Sequence, residues 1–405
     1  MSGLSQWASR AYYSIPRSVR LAGLLMDQLW RDLVRPVPLT LLRTQAGPDG
    51  RQATLVVAGS TWAEYLPSAL LKGPFEYSRL GRVPLWQLPR VLRAKAPSAS
   101  LVIARTDRLA ARWLFGPDYL HVPDMVDLWL DVPQDLGSLY RGKGNSTLRN
   151  DLNRADRNGL SSKISHDEAD LVDFLHRFHV PFVSKRFERY ASPHNLSFLR
   201  GYFPFGGLIW VMYNGQRIAG CVFGQPDRVP TAVALGTVDG DYGPVELGAY
   251  TVILRTLVEH VHELGCGQIN FGGSRPLLTN GSLRYKRKWG MRVARRPKSR
   301  MLALRWEHLH PWLVDMLTHS GLIFEHQGQL SAVSVLHCSQ RATAEDVNSA
   351  YHFLRMPGLR HLHLCSRWGF EPGIGSPPGT RLIDLAASGH VDLIAGLTAV
   401  QVQDL

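Results

Sequence analysis

The chain has no HExxH helix, no GxSxG elbow and no phosphate loop of the GxxxxGK[ST] type. Zinc-peptidase, serine-hydrolase and P-loop chemistry therefore lack a local anchor. Cysteine is scarce: Cys221, Cys266, Cys338 and Cys365 are scattered without CxxC spacing, which argues against a disulfide framework and a cysteine-rich zinc site and fits a reducing, cytoplasmic setting. The sixteen histidines form no grouping with a carboxylate that reads as a metal site. Long apolar runs are missing too. A charge-free window such as residues 201–216 is interrupted by Pro204 and paired glycines, so no membrane-spanning helix is expected. The N-terminal segment interleaves arginine with apolar residues and lacks the continuous apolar core of a secretory signal.

What is present is 405 residues, 45% of them apolar and 20% charged, with a net charge of +13. That length predicts two or three domains, and that composition a folded chain. Two blocks account for the charge. Residues 275–300 hold ten basic side chains and no acid, and residues 141–163 hold six basic side chains against Asp151 and Asp156. Such compact blocks suggest sites for phosphates, carboxylates or a polyanion rather than a basic coat over DNA; a solvated charged face is the alternative.

Along the chain, residues 1–50 read as a helical segment up to about Trp30, followed by the breaker AGPDG at 46–50. Residues 17–34 form an amphipathic pattern whose apolar face meets either the chain's own core or an anionic surface, giving peripheral contact with the inner membrane. Residues 51–135 read as a small α/β unit. From Leu136 a polar basic helix ends at Gly159, and a short strand follows near Lys163. A second helix runs from Glu168 to about Lys185, bent or ended by Pro181. Strands at 208–213 and 217–224 flank Asn214-Gly215, a hairpin turn, and a third strand spans 231–238. A continuous helix over Val245–Leu264, closed by Gly265, leads to the strand GQINFGG, a basic segment and a last strand at 301–304. Residues 306–405 show a β-α-β pattern of unassigned role.

This order resembles the N-acetyltransferase (GNAT) type of acyltransferase fold, and four motifs are similar to those of its FemAB-like and BioF2-like (cellulose-biosynthesis-type) members. LRNDLNRADRNGL places Arg149, Arg154, Ala155 and Gly159 where the family's opening helix has arginines, an alanine and a glycine. DLVDFLHRFHVPFVSKRF supplies the second-helix arginine as Arg186. GQINFGGS carries Gly272, Gly273 and Ser274, and LRYKRKWG carries Tyr285, Lys286, Trp289 and Gly290. The resemblance spans residues 136–305. It implies an α/β (α+β) GNAT-type domain with a mixed central sheet at 136–305. Before it comes the smaller unit at 51–135, a small α/β domain or a degenerate first GNAT half, and after it a small α/β region at 306–405.

The implied activity is acyl, acetyl or aminoacyl transfer to a cell-envelope precursor, polysaccharide or related metabolite, by direct attack in a ternary complex. Such a reaction needs an activated acyl donor, a positioned amine or hydroxyl, and stabilisation of an oxyanion. The resemblance implies that Lys286 meets the reacting end, with Arg284 and Tyr285 beside it; Tyr285 and Trp289 also suit packing, as aromatics flanking a strand. Asp239 or Glu246 suits a general base, while capping of the following helix is the alternative for these acids and for Asp241. Arg149, Arg154 and Arg186 suit an anionic acceptor, or ion pairs with Asp151, Asp156 or Glu188. The loop GDYGPVELGAY, with Tyr242, stands where acetyl-CoA enzymes cradle a pyrophosphate, but it has no basic residue. The donor is thus acyl-CoA (acetyl-CoA) or, as FemAB-like relatives imply, aminoacyl-tRNA, with tRNA as a partner and no metal. A non-catalytic RNA-binding or envelope-scaffold protein retaining the fold is the second reading.

Overall fold

The computed structural model describes residues 15–34, 36–44, 53–59, 75–95, 99–141, 146–188, 191–225, 229–306, 309–386, 393–394 and 397. The expected breaker at 46–50 lies outside them. The chain divides into two units, each drawn from separated stretches. The first comprises Met1–Arg20, Asp127–Gly272 and Tyr285–Arg292; the second comprises Leu21–Val126, Gly273–Arg284 and Val293–Leu405.

Six neighbouring strands of the first unit's seven-stranded sheet run, in order, Val126–Asp131, Gln268–Ser274, Thr231–Thr237, Gln216–Gly224, Gly206–Tyr213 and Ser161–Ser165. The last four strands are antiparallel neighbours, and Thr231–Thr237 lies parallel to Gln268–Ser274. Asn214 and Gly215, at φ 47° and 78°, make the tight turn expected of an Asn-Gly pair. Leu208, Ile209, Trp210 and Val211 are all buried, so both faces of that strand are covered. Leu208 and Trp210 share a core with Leu171, Phe174 and Phe178. The helix Ala249–Glu263 packs on the strands Gly206–Tyr213 and Gln216–Gly224.

Two helices depart from expectation. The one opening at Glu168 passes through Pro181 to Phe187, because Phe174–His179 is a π-helical turn: Val180 N–H bonds to the Leu175 carbonyl. The wider turn absorbs the ring that would clash in a regular α-helix. Gly236 lies against this turn, where a Cβ would come within 2.6 Å of the Phe178 carbonyl carbon. The helix expected over Val245–Leu264 is broken in two, Gly243–Leu247 and Ala249–Glu263, at Gly248. Gly248 takes φ 106°, and a Cβ there would meet that of Ala155 at 3.2 Å. The polar basic helix is likewise two pieces, Leu136–Arg141 and Ser146–Arg157, closed by Gly159 at φ 66°.

In the second unit one sheet runs Phe75–Val83, Val37–Thr44, Thr54–Ala58, Leu101–Thr106, Met301–Arg305 and Leu120–Pro123. Thr54–Ala58 and Leu101–Thr106 are parallel, and Met301–Arg305 is antiparallel to both of its neighbours. Both of these sheets include a parallel pair beside antiparallel strands. A second sheet, Leu322–His326, Gln329–Val335, Leu362–Ser366 and Thr380–Asp384, has its last three strands parallel, realising the β-α-β pattern with the helix Ala344–Leu354. Ile103, Val122, Leu304, Leu317, Phe324 and Val333 share one core. The helix Arg17–Val34 exposes Val19, Met26 and Trp30, which share a face at spacings of seven and four. No helix among the described residues is long and apolar enough to cross a membrane.

Candidate functional site

LRYKRKWG is helical, not the flank of a strand. The Asn280 side chain accepts from the N–H groups of Ser282 (3.1 Å) and Leu283 (3.4 Å), opening the helix Gly281–Lys288, and Gly290 closes it at φ 75°. Lys286 is 7% exposed, and its ammonium donates to the Phe271 carbonyl at 2.6 Å. Burial pushes the Cys221 thiol up to about 12, with the Lys286 charge opposing. Phe271 and Cys221 lie on the two strands that flank Thr231–Thr237, so the buried cation sits across that strand. Among the described residues, Thr231–Thr237 and Gln268–Ser274 are joined at one register position, Thr231 with Asn270. Beyond it, Gly272 turns to φ 74° and its N–H bonds to the Asn270 side chain at 2.8 Å. The register of Thr231–Thr237 against its other neighbour also shifts, between Ala232 and Ala234. The parallel pair opens where the cation sits.

The Tyr285 and Thr251 hydroxyls are 2.9 Å apart, and burial pushes the Tyr285 phenol up to about 12. Trp289 is fully buried edge-on to Tyr140, as a packing anchor. Tyr250 adds a group that pattern alone did not single out. Its hydroxyl is buried without a hydrogen-bond partner, and burial lifts its pKa well above the usual tyrosine range, against the opposing charge of Arg186. Phe182 packs edge-on to the Tyr250 ring and stacks with exposed Tyr242. Arg186 lies over Phe182 at 5.8 Å. Tyr250 stands in the first turn of Ala249–Glu263, just after Gly248, and that position was its only sequence signal.

The first unit therefore gathers Lys286, Tyr285 and Gly272, and sets Arg186 and Tyr242 around Tyr250. Asp239, at φ 50° in the turn Val238–Gly240, and Glu246, in Gly243–Leu247, are both exposed. That short helix has Tyr242 at its N-cap with no side-chain capping bond, so capping is not what holds the acids. Its last carbonyl, of Leu247, accepts from Asn158 at 2.8 Å. Arg154 takes the ion-pair alternative with Asp151 (3.2 Å), which also meets Lys288 (3.0 Å), while Asp156 pairs with Arg255 (2.7 Å). Arg149 is exposed. Gly273, Ser274 and Arg284 belong to the second unit. There Ser274 Oγ donates to Asn280 (3.4 Å), and Arg284 lies over Phe353 at 4.7 Å.

The basic run at 275–300 is divided between the units, and much of it is neutralised. Arg275 meets Asp124 at 2.9 Å, Arg292 meets Asp131 at 3.3 Å and Arg295 meets Glu325 at 3.2 Å. These ion pairs leave the run with less unpaired charge than its sequence count. No group of three or more His, Cys, Asp or Glu among the described residues is placed to hold a metal ion.

Residues 142–287 match the model of the acetyltransferase (GNAT) domain family. The mixed sheet and its covering helices thus have the fold of that family. Among solved structures, FemX aligns at 12% identity over 68% of this chain and 90% of its own, with a TM-score of 0.36. L-PGS from Bacillus licheniformis aligns at 11% over 73% and 92%, with a TM-score of 0.33. A GCN5-related N-acetyltransferase from Kribbella flavida aligns at 14% over 72% and 95%, with a TM-score of 0.26. No curated protein matches this chain.

Proposed function

We propose that the first unit is an acyl- or aminoacyltransferase that forms an amide or ester on a cell-envelope precursor, polysaccharide or related metabolite. The observation that carries this reading is the buried Lys286 ammonium, held by the Phe271 carbonyl where the parallel strand pair opens. The acceptor's amine or hydroxyl attacks the donor's acyl carbonyl and loses its proton to a base, Asp239 or Glu246. The carbonyl oxygen becomes an oxyanion beside Lys286, and the thiol or ribose hydroxyl leaves as the carbonyl re-forms. The Tyr250 phenol stays protonated at neutral pH and has no partner of its own, which suits it to give that leaving group its proton. Arg149 and Arg186, and Arg154 on releasing Asp151, serve an anionic substrate, and the face of Arg17–Val34 serves peripheral contact with the inner membrane surface. Residues 51–135 belong to a reduced first GNAT half, a reading supported by the parallel pair Thr54–Ala58 and Leu101–Thr106.

The donor is acyl-CoA or aminoacyl-tRNA. Thermal shift and native mass spectrometry of the purified protein with acetyl-CoA, a longer acyl-CoA and aminoacyl-tRNA distinguish these; stabilisation by acyl-CoA alone rejects tRNA as donor. Lys286→Ala is expected to lower turnover by about 100-fold or more, the scale of one oxyanion stabiliser, while substrate affinity is largely kept. The loop 239–248, with exposed Glu246 and no cation, favours the second reading of a non-catalytic RNA-binding or scaffold protein. In that case Lys286→Ala causes only a modest, salt-dependent affinity loss and no turnover is found with any donor.

A further inference from the structure

We propose that the second unit holds a separate binding pocket for a small anionic amphiphile, a carboxylate or phosphate ester on a compact aromatic or aliphatic body. The pocket has a volume of about 580 Å³, within the usual range for small-molecule sites. Phe115, Leu120, Met301 and Phe324 form apolar walls, and Arg108, Arg112, His121, Glu325 and His326 supply its polar groups. The turn Gln327-Gly328, at φ 47° and 79°, forms part of its lining.

Charge, rather than shape alone, identifies the ligand class. Glu325 is the one carboxylate lining the pocket, and three guanidinium groups converge on it: Arg108 in direct contact, Arg295 at 3.2 Å and Arg112 at 3.5 Å. One negative charge cannot balance three positive ones. Arg108 is buried and its Nε has no hydrogen-bond partner, whereas Arg112 and Arg295 are about half exposed and free to turn toward a guest. Burial lowers the proton affinity of His121 and His326, so at neutral pH the arginines are the cations of the site. Asp118, the nearest other acid along the lining segment, lies 3.8 Å from Arg305. Arg112 in the lining, with Arg295 against the lining residues Glu325 and Gly328, suits an anionic head beside an apolar body. None of these residues belongs to the transferase site, so the proposal stands without that reading.

The test is calorimetric titration of the full chain with phenyl phosphate, benzoate, inorganic phosphate and phenol. Phenyl phosphate or benzoate, or both, should bind at least tenfold more tightly than inorganic phosphate and than phenol, and the stronger of the two identifies the head group. Arg112→Glu and Arg295→Ala, both at half-exposed positions, should each weaken that binding tenfold or more while leaving the thermal midpoint within a few degrees. Arg177→Ala, on the other unit, should leave it unchanged. The proposal is overturned if neither aromatic anion binds more tightly than inorganic phosphate, or if binding survives both pocket substitutions.

Discussion

Glu325 is almost wholly removed from water while its charge is shared among Arg108, Arg112 and Arg295. Replacing it with alanine leaves the Arg108 cation buried without its counter-charge, a loss of about 3–5 kcal/mol; urea denaturation of Glu325→Ala against wild type measures it. His363 is 2% exposed beside Phe324. Burial first, then the charges of Arg381, His361 and His326, lower its pKa from 6.5 to about 3. Between those values the unfolded chain takes up a proton that the folded chain refuses. The contribution is therefore complete above pH 6.5 and is lost as pH falls toward 3, on the order of 5 kcal/mol in all. His363→Leu should flatten the fall in thermal midpoint between pH 7 and pH 4.5; an unchanged slope would show that His363 is not its source. Lys286 was legible in the sequence because it sits in a compact motif. Tyr250 was not, since what distinguishes it is burial of a hydroxyl without a partner, a property conferred by Phe182, Tyr242 and Arg186 from other segments.

At the level of elements, the strands were the most readable parts. The Asn214-Gly215 hairpin and the strand Thr231–Thr237 lie where alternation and turn chemistry place them. The helices were harder, for a common reason. Pro181 and Gly248 are both local signals for a break, yet only Gly248 makes one. The π-turn before Pro181 adjusts the hydrogen-bond ladder and lets the helix continue, and Gly236 allows a strand to lie directly against that wide turn. Gly236→Ala would drive a methyl group into the Phe178 and His179 backbone, which cannot yield as a side-chain tip does. The expected loss is about 2–3 kcal/mol, the scale of overpacking in a well-filled core. A thermal melt of that variant checks it, and a midpoint equal to wild type would mean that the strand and turn can separate without cost.

For the whole molecule, the two compact units are each drawn from separated stretches of chain, and pairing over long separations leaves no mark on local composition. The +10 run at 275–300 is likewise shared between the units, and Arg275, Lys288, Arg292 and Arg295 meet acids from distant segments. Such long-range pairing also makes truncation informative. A chain ending at residue 295 loses Met301–Arg305, the strand between Leu101–Thr106 and Leu120–Pro123, and exposes two unpaired edges. Such a fragment should aggregate on expression, as judged by soluble yield and size-exclusion profile, whereas the full chain should not.

The position of Met301–Arg305 also sets an order of events at the ribosome. Residues 37–126 emerge first but must wait for a strand made some 175 residues later, roughly 10–35 s at ordinary rates of synthesis. The unit built mainly from 127–292 has all its strands in hand before then. The middle of the chain can therefore finish folding first, and the earliest-made strands spend the interval as the segment most in need of a chaperone.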